Sequence, residues 1–158
     1  MTEPAYTIRT LTDADVASML AWHYAPPYDF YDPGADAEDV EEMRAATDGR
    51  GPWFAVDDAA TGELVGFLEF KPLGAQIEIG LGLQPDRTGA GLGVGFIEAA
   101  FAFGRDRWQP AGFVLDVRPW NERAIRAYER AGFVREDVYL RRFPSGTERE
   151  FLRMSRPV

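Results

Sequence analysis

Four glycines fall within seven residues, at Gly89, Gly91, Gly93 and Gly95, in the run Gln84-Pro85-Asp86-Arg87-Thr88-Gly89-Ala90-Gly91-Leu92-Gly93-Val94-Gly95. Such a run lets a main chain approach a ligand closely and take conformations barred to other residues. A helix that follows it offers unpaired N–H groups and a partial positive charge, which together suit an anion, above all phosphate. A Walker loop would need a lysine after its last glycine, and the only lysine of the chain is Lys71. A G-x-G-x-x-G fingerprint would put its third glycine at Val94 or Phe96, and neither fits.

Other residues with chemical potential are few. Glu78 alternates with Gln76, Gly80 and Gly82 along one face of an apolar segment that turns Ile77, Ile79, Leu81 and Leu83 the other way. Glu69 lies on the segment before it. Tyr128 shares a helical face with Ala124, Ile125 and Ala131, where it serves either as a core ring with a satisfied hydroxyl or as an acid. Asn121 is placed to cap that helix. The segment Trp22, His23, Tyr24 through Tyr28, Asp29, Tyr31 and Asp32 gathers aromatics and carboxylates. It either packs its rings on the core or holds a cationic or aromatic ligand.

The composition narrows the classes. With no cysteine and one histidine, disulfide frameworks, thiolate metal sites and His-centred triads fall away, and no metal is expected. A net charge of −9 argues against phosphate-clamping nucleic-acid binders. No apolar run reaches the length of a membrane span, and Met1-Thr2-Glu3-Pro4 is unlike a signal peptide, so a cytoplasmic location and no membrane partner are expected. Sixteen arginines against one lysine fit the codon bias of a GC-rich, bacterial genome.

The elements that must position these residues follow from periodicity. Strands are predicted at about 6–9, 53–56, 64–70, 76–83, 113–117, 133–140 and 149–154. Helices are predicted at about 12–22, 37–46, 92–108 and 121–131, with Gly132 after the last. In the third helix the apolar stripe reads Leu92, Phe96, Ala99 and Phe103, widened by Val94, Ile97 and Phe101. The 158 residues suit one α/β (α+β) domain with a mixed sheet, and the strand–helix–strand piece 76–117 should be a parallel crossover.

The loop Pro85-Asp86-Arg87-Thr88-Gly89-Ala90-Gly91-Leu92-Gly93 resembles the acyl-CoA-binding motif of the GNAT N-acetyltransferases. The run Val117-Arg118-Pro119-Trp120-Asn121 through Tyr128 to Gly132-Phe133 is similar to that family's strand–Asn–helix–Tyr–x–x–x–Gly–Phe signature. The resemblance spans about 76–140. It implies a mixed, mostly antiparallel twisted sheet of six or seven strands flanked by four helices.

It also implies acetyl transfer from acetyl-CoA to an amine by direct attack. In its terms Thr88, Gly89, Ala90, Gly91, Leu92, Gly93 and Asn121 face the cofactor, and strand residues Leu81 and Leu83 pair with its pantetheine arm. The N–H near Leu81 serves as oxyanion donor. Tyr128 is the acid, Glu78 the base with Glu69 second, and the Trp22–Asp32 segment lies where the acceptor binds. Thr88 stands where the family usually has Arg or Gln. The acceptor is a small molecule or a protein N-terminus, and a homodimer using the C-terminal strand is in keeping with the family. A non-catalytic acyl-CoA sensor would keep the glycine loop and need no base.

Overall fold

The structure is a computed structural model that describes residues 5–88 and 93–158. In chain order its elements are β1 (Tyr6–Thr10), α1 (Asp13–Leu20), α2 (Ala37–Ala45), β2 (Trp53–Asp58), β3 (Leu64–Leu73), β4 (Gln76–Leu83), α3 (Gly93–Trp108), β5 (Gly112–Val117), α4 (Glu122–Arg130), β6 (Val134–Arg142) and β7 (Glu148–Pro157). Short 3-10 turns occupy Tyr28–Tyr31, Ala46–Asp48 and Pro85–Arg87. The strands form one open, mixed, seven-stranded sheet in the order β1-β2-β3-β4-β5-β7-β6. Only β4 and β5 among the described pairings run parallel, in register Gln76–Gly112 to Glu78–Val114. A helix between two strands is what makes that pairing reachable.

Two compact units divide the described chain: residues 5–70 with 81–88, and residues 71–80 with 93–158. In the first, Thr12 starts α1 with a reciprocal cap. Its hydroxyl accepts from the Asp15 N–H at 3.2 Å, and the Asp15 carboxylate accepts from the Thr12 N–H at 2.8 Å. The Arg9 guanidinium then bridges Asp15 at 2.6 Å and Asp57 at 2.7 Å, tying β1, α1 and β2 together. Leu11, Val16, Met19, Trp22, Met43 and Phe67 are among the residues that make the core below. β2 runs past the expected 53–56 and includes Asp57 and Asp58.

In the second unit Phe101 of α3 packs on Phe113 of β5 with ring centroids 4.5 Å apart. Ile125 of α4 is fully buried. The Asn121 side chain caps α4, accepting from the Ala124 N–H at 3.2 Å, and Gly132 follows it at φ +92°. Arg156 of β7 lies over the Phe101 ring at 3.8 Å and donates to the Ala131 carbonyl at 2.6 Å.

The buried residues of α3 are Phe96, Ile97, Ala100, Phe101 and Gly104. The seam is therefore centred on Ala100, while Ala99 and Phe103 are only half-buried. The helix is apolar on most sides, so periodicity alone could not choose the seam. Both closing strands run further than expected: β6 to Arg142, which pairs with Glu148 of β7, and β7 to Pro157, which pairs with Gly112 of β5.

Candidate functional site

Strands β4, β5, β6 and β7 bring four charged or polar side chains of the second unit to one place. Asp116 interrupts an apolar strand, and its register partner on β7 is Arg153. Antiparallel register partners share a face of the sheet, so the two side chains meet: Arg153 donates from Nε and Nη2 to the Asp116 carboxylate at 3.0 and 3.1 Å. The Tyr139 hydroxyl of β6 donates to the same carboxylate. Only 5% of the Asp116 side chain is exposed.

Glu78 of β4 reaches the other side of that arginine, 3.7 Å from Nη2. Its proton affinity is raised from the ordinary carboxylate range. Burial is the larger cause, and the neighbouring Asp116 charge adds to it against the pull of Arg141 and Arg153. Arg153 is already engaged by two hydrogen bonds to Asp116, so it cannot fully neutralise a second carboxylate. Burial first, then the bond to Asp116, pushes the Tyr139 phenol up to about 12, so it stays protonated as a donor. A cavity of about 490 Å³ lined by Gln76, Val114, Glu136, Asp137, Tyr139, Arg153 and Ser155 opens at this cluster. A carboxyl that holds its proton unusually well, beside a cavity, is suited to proton transfer.

Of the other expected catalytic residues, Tyr128 lies half-buried in α4 with its ring edge-on to Phe133, centroids 6.0 Å apart. Glu69 belongs to the first unit. There one carboxylate oxygen each from Glu69, Asp39 and Glu42 lie within 4.8 Å of one another.

Of the cofactor-facing residues, Gly89, Ala90, Gly91 and Leu92 lie outside the described residues. Thr88 closes the preceding turn, its hydroxyl donating to the Pro85 carbonyl at 2.8 Å. Arg87, next to it, is turned to the β2–β3 hairpin, where it pairs with Asp58 at 3.1 Å and Glu63 at 3.3 Å. Gly93 is the first residue of α3, with a Cβ position 3.6 Å from the Ala127 methyl. On β4 a Cβ at Gly82 would fall 2.1 Å from the Phe67 ring, so this strand position must be glycine. Leu81 and Leu83 are half-buried.

The aromatic segment is tied down at Asp32. That carboxylate accepts from the Tyr24 N–H at 2.8 Å and contacts His23 Nδ1 at 2.9 Å. The Tyr24 hydroxyl donates to the Leu83 carbonyl at 2.5 Å, which latches the segment to β4. Trp22 is a core residue, ring-stacked on Phe67. His23 is largely exposed, and Tyr28, Asp29 and Tyr31 fall in the 3-10 turn.

Asp116, Tyr139 and Arg153 were not singled out from sequence. The available signal was a charge inside an apolar strand, in Phe113-Val114-Leu115-Asp116-Val117 and again in Phe151-Leu152-Arg153-Met154. A buried strand tolerates such a charge only when it is paired.

Comparison with known proteins bears on the family and the fold. A model of the acetyltransferase (GNAT) family matches residues 16–133. No curated protein sequence matches the chain significantly. Among solved structures, a GNAT-family acetyltransferase from Bacillus anthracis superposes with a TM-score of 0.78 at 19% identity, over 99% of this chain and 97% of that one. A chimera of the Vibrio cholerae spermidine N-acetyltransferase SpeG and hSSAT gives 0.77 at 22% identity, over 97% and 95%. The Vibrio cholerae enzyme in complex with CoA and spermine gives 0.70 at 20% identity, over 98% and 96%. The chain belongs to the GNAT family of acetyltransferases and is an N-acetyltransferase that uses acetyl-CoA.

Proposed function

We propose that Glu78 is the base that takes the proton from the acceptor ammonium, as a single domain carries out direct acetyl transfer. What supports this reading is the position of Glu78, 3.7 Å from Arg153 Nη2 and beside the buried Asp116, where burial and the like charge raise its proton affinity; Tyr139 and Arg153 of the same cluster line a cavity of about 490 Å³. An unperturbed amine is protonated near neutrality and cannot attack. Once Glu78 has taken the proton, the amine nitrogen bonds to the thioester carbonyl carbon and the carbon–sulfur bond breaks. Tyr128 donates its phenolic proton to the departing sulfur, and the N–H near Leu81 faces the oxyanion.

Thr88, Gly89, Ala90, Gly91, Leu92 and Gly93 would hold the diphosphate on main-chain N–H groups at the start of α3, with Asn121 beside the cofactor and Leu81 and Leu83 along the pantetheine arm. Glu69 is the second candidate for the base. Acetyl-CoA brings the activated acetyl group.

The acceptor we propose is a small cationic amine rather than a peptide. The acidic group Asp39, Glu42 and Glu69 and the net charge of −9 support it. So does the ammonium-compatible ring set Tyr24, Tyr28 and Tyr31, with His23 and Asp29, in the segment that begins at the buried Trp22. Spermidine and spermine head the panel, since they are the named substrate class or ligand of two of the structural neighbours. A homodimer in a bacterial cytoplasm completes the proposal.

The test is release of free thiol from acetyl-CoA with polyamines, monoamines and peptides bearing free N-termini. Turnover with a polyamine and loss of about 10²–10⁴ in kcat in Tyr128→Phe, with CoA still bound, is the expected result. Saturable CoA binding without turnover on any amine would instead mark a sensor.

A further inference from the structure

Lys71 is the only lysine in the chain. Elsewhere arginine supplies positive charge, as Arg9, Arg87, Arg153 and Arg156 do in their ion pairs. The two side chains differ in one chemical respect. A guanidinium does not give up its proton in a protein, whereas an ammonium can, and the amine it leaves is a nucleophile.

The β3–β4 hairpin fixes where that amine stands. β3 ends at Leu73 and β4 begins at Gln76, with the two-residue turn Gly74-Ala75 between them. A two-residue hairpin sets its flanking residues opposite one another, here Leu73 and Gln76. Counting back along both strands brings Lys71 directly opposite Glu78. The far end of the ladder keeps the same register: the Gln84 N–H donates to the Val65 carbonyl at 2.7 Å, and Gly82 faces the Phe67 ring.

Directly opposite residues share a face, with Cβ atoms about 4.5–5.5 Å apart. That face carries the cavity of about 490 Å³. Gln76, two residues before Glu78, and Val114, the register partner of Glu78 on β5, both line it. Gly80, the next residue of β4 on this face, has no side chain to obstruct a long neighbour. Lys71 itself is half-buried.

We propose that Lys71 is an acetylation site of the protein on itself: its ε-amine takes the acetyl group of bound acetyl-CoA, with Glu78 as the base. This rests on the reading of Glu78 given above. A lysine ammonium, with an ordinary pKa of about 10.4, must lose a proton before it attacks. Glu78 takes that proton and passes it to water. The amine nitrogen then bonds to the thioester carbonyl carbon and the carbon–sulfur bond breaks. The proton shed by the nitrogen as the amide forms balances the one gained by the departing sulfur. The products are acetyl-lysine, the CoA thiol and one released proton. An acceptor already held opposite the base needs no encounter and little reorientation.

The experiment incubates the full chain with acetyl-CoA and no added amine, and follows its mass and its chymotryptic peptides by mass spectrometry. Peptide mapping separates Lys71 from the N-terminal amine. The chain should gain one acetyl group at Lys71, with a rate constant that saturates in acetyl-CoA and is unchanged by tenfold dilution of the protein. Lys71→Arg should gain none at that position. Glu78→Gln should gain it about 10²–10⁴ times more slowly. Both variants are checked for folding by circular dichroism, and wild-type chain unfolded in urea gives the rate of uncatalysed acetylation should either fail.

An unmodified Lys71, a folded chain no faster than the unfolded one, a rate constant that falls on dilution, or a folded Glu78→Gln chain as fast as wild type would each overturn the inference. Polyamine turnover, read on the same samples, separates it from the reading beneath it. If turnover depends on Glu78 while Lys71 stays unmodified, the inference falls and the base stands. If Glu78→Gln keeps both rates, both fall.

Discussion

Replacing Glu78 by glutamine removes a charge while keeping the shape, and its consequences can be worked from the cluster. The carboxylate sits 3.7 Å from Arg153 Nη2. At an effective dielectric of about 20 that attraction is worth about 4.5 kcal/mol. Arg153 is spent at closer range on Asp116, at 3.0 and 3.1 Å, so the Asp116 charge offsets most of it. Burial then tips the balance against the charged form, which is why the Glu78 proton is held above the ordinary carboxylate range.

The sign for stability follows. The folded state binds this proton more tightly than the unfolded chain does, so its contribution is fully present below the ordinary glutamate value of 4.5. It is lost as pH rises through the raised folded value. Glu78→Gln therefore leaves the melting temperature unchanged in acid and raises it by a few degrees at neutral pH.

Activity moves the other way. With the proposed base removed, kcat/KM is expected to fall by about 10²–10⁴ and the acid limb of the pH–rate profile attributed to Glu78 to disappear. Differential scanning fluorimetry across pH and initial rates of thiol release, run on the same samples, read both effects. A glutamine variant that keeps its rate within tenfold, or loses stability at neutral pH, would refute the reasoning.

Gly82→Ala forces a methyl to within 2.1 Å of the Phe67 ring and should cost about 1–3 kcal/mol by overpacking, read as a lower denaturant midpoint in urea. Ile125→Ala empties a fully buried position in α4 and should cost about 2–5 kcal/mol, about 2–4 °C of melting temperature for each kcal/mol, in calorimetry.

What the sequence made legible was local. Thr12, Asn121 and Gly132 announce their helix ends because caps and left-handed positions depend on a few neighbouring residues. The alternation of β4 put Glu78 on its polar face for the same reason. The α3 seam was legible only to one position, since a helix apolar on nearly every side has no strong phase.

The site was less visible because it is built across strands. Asp116 meets Arg153 across 37 positions and Tyr139 across 23, and those meetings follow from the β5-β7-β6 order rather than from any window of sequence. Arg87 shows the same limit. It stands beside Thr88 in the loop, yet its charge is taken up by Asp58 and Glu63, 29 and 24 residues earlier.

Asp116 decides what kind of group Glu78 is. Were position 116 apolar, like the residues on either side of it, Arg153 would have a single carboxylate within reach. That pairing would lower the proton affinity of Glu78, as an opposite charge within about 4–6 Å does. Glu78 would then be a spectator anion, ionised throughout the working range and a weak base. By taking two hydrogen bonds from Arg153 and one from Tyr139, Asp116 draws the cation away from its neighbour and adds a like charge. The buried ion pair therefore serves less to hold β5 to β7 than to leave the adjacent carboxyl under-compensated. That is the condition in which a glutamate holds its proton above the ordinary carboxylate range.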